Sequence, residues 1–144
     1  MGNRFVREFE RFRHRRFLEA SMAACALISM ADRRVSLSEQ VALDDCLEKV
    51  AELRVFDPHK AVDLHRSFVA ALQRNPVIGK RRALAVLGRF SRDASAAALL
   101  VRLSVTIAAS GSGFSDAERG VLAEICGALG VSMDEANPWV EALG

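Results

Sequence analysis

LEASMAACALISMADRRVSLSE, residues 18–39, is the stretch on which the fold turns. From Ala20 to Ala31 it is apolar almost throughout, and it closes on Asp32. A helix that is apolar on nearly every side must be surrounded by neighbours. Glu39 follows Asp32 by seven positions, in Ser36-Leu37-Ser38-Glu39. That is a capping box: the serine oxygen accepts the N3 amide proton, and the glutamate reaches back to the cap amide. The same plan returns 79 positions later, where Ile107-Ala108-Ala109 leads to Gly111, and Ser115-Asp116-Ala117-Glu118 opens another helix. Met22 pairs with Val101, Ala26 with Val105, Val35 with Phe114, Ser36 with Ser115, Glu39 with Glu118, and Leu43 with Leu122. Apolar residues match apolar ones, and both capping pairs match. This reads as a duplicated helix–loop–helix unit.

Outward from that stretch, helix signals fill the chain. Phe5, Phe9 and Phe12, spaced four and three apart, mark one face of an N-terminal helix rich in arginine, expected over 4–16 and separate from a central helix over 16–31. After the Ser36 cap a helix is expected to about Leu53, with Val41, Leu43, Cys46, Leu47 and Val50 inward and Asp44, Asp45, Glu48 and Glu52 outward. Asp57-Pro58 starts the next, an N-cap followed by proline at the first helical position. Its inward set is Val62, Leu64, Phe68, Val69 and Leu72, and Asn75-Pro76 ends it. A helix over 77–90 follows, and Asp93 caps a second central helix, Ala94 to Ala109. The helix from Ser115 stops at Gly130, and Ser132 starts a last one that Asn137-Pro138 divides. No run alternates in the manner of a strand. The fold class is all-α: a single helical bundle of about seven helices with an internal helix–loop–helix repeat.

A chain of 144 residues fits one domain. Neither apolar run reaches the ~20 residues of a membrane span. The start, MGNRFVREFERFRHRRF, is too charged for a signal peptide. Residues 1–34 hold eight arginines against four acids, +4, whereas the remainder holds twelve bases against fourteen acids, −2. A basic front of this size, without a nucleic-acid module, does not indicate a nucleic-acid partner. Cys25, Cys46 and Cys126 are odd in number, lack any CxxC spacing and sit in apolar helical patterns. They read as reduced, buried thiols of a cytoplasmic protein.

Catalytic signatures do not emerge. His14, His59 and His65 form no HExxH and no zinc spacing with cysteine, and read as surface or helix-end residues. No GxSxG is present, and Gly111-Ser112-Gly113 lacks the strand and the Lys-Ser/Thr of a phosphate loop. Redox chemistry at a thiol would need exposed cysteines, which the pattern argues against. The acidic set with a reason behind it is Asp32 and Glu39, with Glu118 as repeat mate. A tight corner can gather such carboxylates and loop carbonyls around one hard divalent cation, Ca²⁺ or Mg²⁺. The simpler alternative makes both glutamates capping groups and nothing more. An EF-hand is excluded, because Arg34 and Ser36 fill ligand positions and no glutamate stands twelve along.

Phe17-Leu18-Glu19-Ala20-Ser21-Met22-Ala23-Ala24-Cys25-Ala26-Leu27-Ile28, then Ala31-Asp32, Val35-Ser36-x-x-Glu39, Val55-Phe56-Asp57, Ile78-Gly79-Lys80, Phe114-Ser115-x-x-Glu118 and Ile125 to Gly130 stand in order along the chain. Together they resemble the TerB family of bacterial tellurite-resistance and stress-response operons. The resemblance implies a helical bundle without known enzymatic activity, cytoplasmic or beside the inner membrane, with other tellurite-resistance proteins as partners. It also implies acidic positions suspected of binding metal, matched here by Asp32, Glu39 and Glu118. Arg33 replaces the glycine that usually follows the first aspartate, and Gly111-Ser112 replaces the second Asp-Gly. The chain is thus expected to divide into residues 1–15, a basic amphipathic helix packed on the domain, and 16–144, a TerB-like helical domain. The expected function is non-catalytic: partner docking, with cation binding at Asp32, Glu39 and Glu118. The second reading is a membrane-surface adaptor using the N-terminal helix, whose aromatic and basic residues suit anionic lipid.

Overall fold

The computed structural model describes residues 2–31, 58–109 and 115–143, with side-chain environments for 15–31, 59–109 and 115–142. Within those residues every regular element is a helix: α1 (Gly2–Ser29), α2 (Pro58–Arg74), α3 (Pro76–Gly88), α4 (Ala94–Ala109), α5 (Asp116–Leu129) and α6 (Met133–Leu143). The all-α reading therefore holds for six helices among the described residues. The helix expected after Ser36 lies outside them, together with Asp32, Arg33, Glu39, Cys46 and Gly111.

The expected break near residue 16 does not occur. α1 is one helix of 28 residues. The cause is local: between Asn3 and Ala31 there is neither glycine nor proline, and nothing ends the hydrogen-bond ladder. From Phe17 to Ser29 every residue except Glu19 is buried. α1 packs against α2, α3, α4 and α5, as an all-round apolar helix requires. Its alanines, fully buried at 20, 23, 24 and 26, let those helices approach closely. Ser21 stays satisfied in this interior by donating to the Phe17 carbonyl at 2.8 Å. Ser104 does the same toward Leu100, also at 2.8 Å, in the second central helix.

α4 begins where Asp93 Oδ1 accepts from the Ala96 amide at 3.1 Å. It buries Leu100, Val101, Leu103, Val105 and Ile107 between α1, α5 and α6. α2 departs from its sequence reading. Its inward positions are Ala61, His65 and Leu72, with Leu64, Phe68 and Val69 partly covered, whereas Val62 is exposed. The departure is confined to Val62, whose inward place is taken by Ala61; the other four expected positions are buried or partly covered. α6 also departs: Pro138 sits inside a single helix and does not divide it. Proline there removes one hydrogen bond in a helix end that Ala136 and Val140 anchor in the core.

α2 and α3 meet at one residue, Asn75. Asn75 Oδ1 accepts from the Ile78 amide at 3.2 Å, and Pro76 takes the first helical position, where its missing N–H costs nothing. Gly79 then presses on α2. A Cβ at that position would stand 2.8 Å from the Ala71 carbonyl oxygen and 2.9 Å from Leu72 Cα. Below this contact Ala83, Val86 and Leu87 face the core, and Phe90 meets Phe17 edge to face at 5.9 Å.

Candidate functional site

The corner before α5 holds the described member of the acidic set. Ser115 is the N-cap, with its backbone extended. Its hydroxyl accepts from the Glu118 amide at 3.0 Å, and Glu118 Oε1 accepts from the Ser115 amide at 3.2 Å. The capping box read in the sequence is therefore formed on both sides. Farther along, Gly130 adopts the left-handed conformation, φ 70°, and Val131 donates to the Cys126 carbonyl at 2.9 Å to close the helix.

Local chemistry explains Glu118 Oε1. It does not explain the other oxygen. Glu118 heads the inward stripe of α5, followed by Val121, Leu122, Ile125, Cys126 and Leu129, and is only 3% exposed. Its Oε2 is buried and has no hydrogen-bond partner among the described residues. A buried polar atom left unsatisfied costs roughly 1–3 kcal/mol, and more when charged. Such an atom suits a site that receives a water molecule or a cation. Asp32 and Glu39 lie outside the described residues, so only Glu118 of the three has a described position. Among the described residues no cluster of three or more histidine, cysteine, aspartate or glutamate side chains stands together.

One titratable group escaped the sequence reading. His65, expected at the surface, is buried on the inner side of α2, and its Nε2 also lacks a partner among the described residues. Burial pulls its pKa below the usual 6.5. The signal for this was Ala61 four residues earlier, on the same helical face, together with Leu72 seven later. The thiols follow expectation where they are described: Cys25 and Cys126 are both buried. Burial, and then the negative charge of Glu135, push the Cys126 thiol up to about 11. A thiol so placed is a poor nucleophile at neutral pH.

Charge is unevenly laid over the outer surface. Residues 64–92 carry seven bases and no acid. Two of these bases are met from elsewhere: Lys80 by Glu124 at 3.1 Å, and Arg89 by Glu19 at 3.5 Å, both at exposed positions. No helix among the described residues is long and apolar enough to cross a membrane.

Sequence comparison places this arrangement among known proteins. The family model described as "Tellurite resistance protein TerB" matches residues 18–138. The chain belongs to the TerB family. A relative from Alcaligenes sp, "Tellurium resistance protein TerB", is 25% identical over 100 residues, which cover 69% of this chain and 82% of that protein. No solved structure matches the chain. The TerB match begins at Leu18, where α1 becomes buried, and it takes in both corners and Glu118.

Proposed function

We propose that this TerB-family protein serves the response to tellurite or related chemical stress without catalysis, as a helical module that docks partners. In this reading it works in the cytoplasm, next to the inner membrane, with other tellurite-resistance proteins. Its two corners, the one at Asp32 and Glu39 and the one at Glu118, are copies of a duplicated unit. A seventh helix follows Ser36 as α5 follows Ser115. Between them Asp32, Glu39 and Glu118 hold one divalent cation, Ca²⁺ or Mg²⁺. The observation that carries this reading is Glu118 Oε2, buried and without a partner among the described residues, beside an Oε1 that the helix cap already uses. Hard cations take oxygen ligands of this kind, and one carboxylate oxygen is free for the task. Arg33 beside Asp32, and Gly111 in place of a second aspartate, make the two corners unequal contributors.

Two measurements test it. Expression in a tellurite-sensitive bacterial host, together with the neighbouring genes of its operon, raises the inhibitory tellurite concentration; no rise defeats the stress-response role. Titration calorimetry with Ca²⁺ and Mg²⁺ gives a saturable heat for the wild type that Asp32→Asn and Glu118→Gln abolish. Equal heats in all three proteins dismiss the cation.

A second reading, a membrane-surface adaptor built on residues 1–15, draws support from α1, which is helical from Gly2 onward and carries Phe5, Phe9 and Phe12. Removing residues 1–15 then lowers binding to anionic vesicles. Unchanged binding rules this use of the helix out.

A further inference from the structure

The α2–α3 corner is unlike the rest of the surface. Residues 73–78 are all exposed, six in succession, so the chain projects there. At the tip stand Val77 and Ile78, 68% and 56% exposed, which with Val62 are the exposed large apolar residues among those described. Exposed single aliphatics are ordinary, but an adjacent pair on a projecting corner is not explained by the fold. Neither residue contributes to the core, whose α3 face is Gly79, Ala83, Val86 and Leu87.

Along the chain the charges flanking the tip are of one sign, while Glu124 of α5 meets Lys80 at 3.1 Å. Arg74 precedes it, and Arg81 and Arg82 follow one helical turn after Val77 and Ile78, on the same sides of α3. All three arginines are exposed and make no ion pair among the described residues. The corner is also stiff. Asn75 donates to the Ala71 carbonyl at 3.0 Å and accepts from the Gly79 amide at 2.8 Å. With Pro76 fixed and Gly79 wedged against α2, the tip loses little freedom on docking.

We propose that this corner is a membrane-docking tip: Val77 and Ile78 enter the interface of a bilayer rich in anionic lipid, while Arg74, Arg81 and Arg82 meet the headgroup phosphates. A convex tip with two aliphatics fits a flat, deformable surface better than a protein groove, which would have to enclose it. The one-signed arginine collar selects an acidic surface, and lipid phosphates supply it without a specific register. The docking is peripheral and reversible, as expected for little buried apolar area joined to electrostatic attraction.

Vesicle sedimentation of the full chain tests it, using phosphatidylcholine alone and phosphatidylcholine mixed with phosphatidylglycerol. The wild type binds the mixed vesicles and ignores the neutral ones, and added salt weakens the binding. Val77→Ser with Ile78→Ser lowers affinity by about tenfold or more, from the apolar area lost. Neutralising Arg74, Arg81 or Arg82 to glutamine costs about fivefold each and flattens the salt dependence. Melting temperatures of these variants stay near the wild-type value, since every altered side chain is exposed. A wild type that ignores the mixed vesicles overturns the proposal and leaves the corner to a protein partner. So does binding that survives all the corner substitutions and falls only with Phe5→Ser and Phe9→Ser, which assigns it to the N-terminal helix. Neither result bears on tellurite protection or on the cation at Glu118.

Discussion

The helix starts at Asn75 and Ser115 make the same kind of bond and come to opposite ends. Each cap side chain accepts from the amide three residues on, at 3.2 Å in one and 3.0 Å in the other. At Asn75 the cap turns the chain outward and lifts Val77 and Ile78 into solvent. At Ser115 the cap turns it inward and carries Glu118 into the core with one oxygen unmatched. Capping chemistry sets where a helix begins. What the helix then buries is set by the elements packed on it: α3 presents Gly79 to α2, whereas α5 presents Glu118 and the residues after it to the helices around it.

The largest way to break this contrast is at Gly79. In Gly79→Val the new Cβ meets backbone of α2, which cannot move aside as a side chain does. Overpacking of this kind costs roughly 1–3 kcal/mol or more, read as a lower denaturant midpoint. Gly88→Ala in the same helix is the control, because its Cβ would meet its nearest neighbour, the Ala128 carbonyl oxygen, at an ordinary 3.8 Å. A similar loss in both variants would discard the close-contact argument.

Next come the caps. Ser115→Ala and Asn75→Ala each remove an acceptor worth about 1 kcal/mol. The Ser115 loss is expected to be the larger, because it also loosens the buried Glu118. Thermal unfolding of both variants ranks them, and the reverse order would mean that Glu118 is held by something other than its cap.

A smaller effect sharpens the interior side of the comparison. His65 is held neutral by burial, with a folded-state pKa below the ordinary 6.5. The unfolded chain therefore takes up its proton first as pH falls. Its neutral form contributes full stability above pH 6.5, and that contribution is lost as pH drops from there through the depressed folded value. His65→Gln should flatten the acid side of a stability profile; an unchanged slope would place the titration elsewhere. The smallest effect belongs to the exposed Lys80–Glu124 pair, where Glu124→Gln should change stability by less than about 1 kcal/mol and only at low salt.

Much of the fold was legible because helices are written locally. The apolar run after Phe17, the Ser115-x-x-Glu118 box, the Asn75-Pro76 junction and the Gly130 stop each involve residues within one or two turns, and each appears where the sequence reading puts it. The errors also have local causes. The expected break near residue 16 has no glycine, proline or cap behind it, and nothing else there interrupts the hydrogen-bond ladder. Val62 was counted inward for its size, although Ala61 is the residue that faces the core. Of the candidate site, the type and cap role of Glu118 were readable, but its unmatched oxygen was not.

The sequence by itself determined that this chain is helical, where most of its helices begin and end, and that it belongs with TerB. Those features depend on bonds three or four residues apart and on the order of short motifs. Tertiary structure alone decided that Glu118 and His65 are enclosed while Val77 and Ile78 stand out. Burial is fixed by which helices arrive on a face, and those helices come from distant parts of the chain.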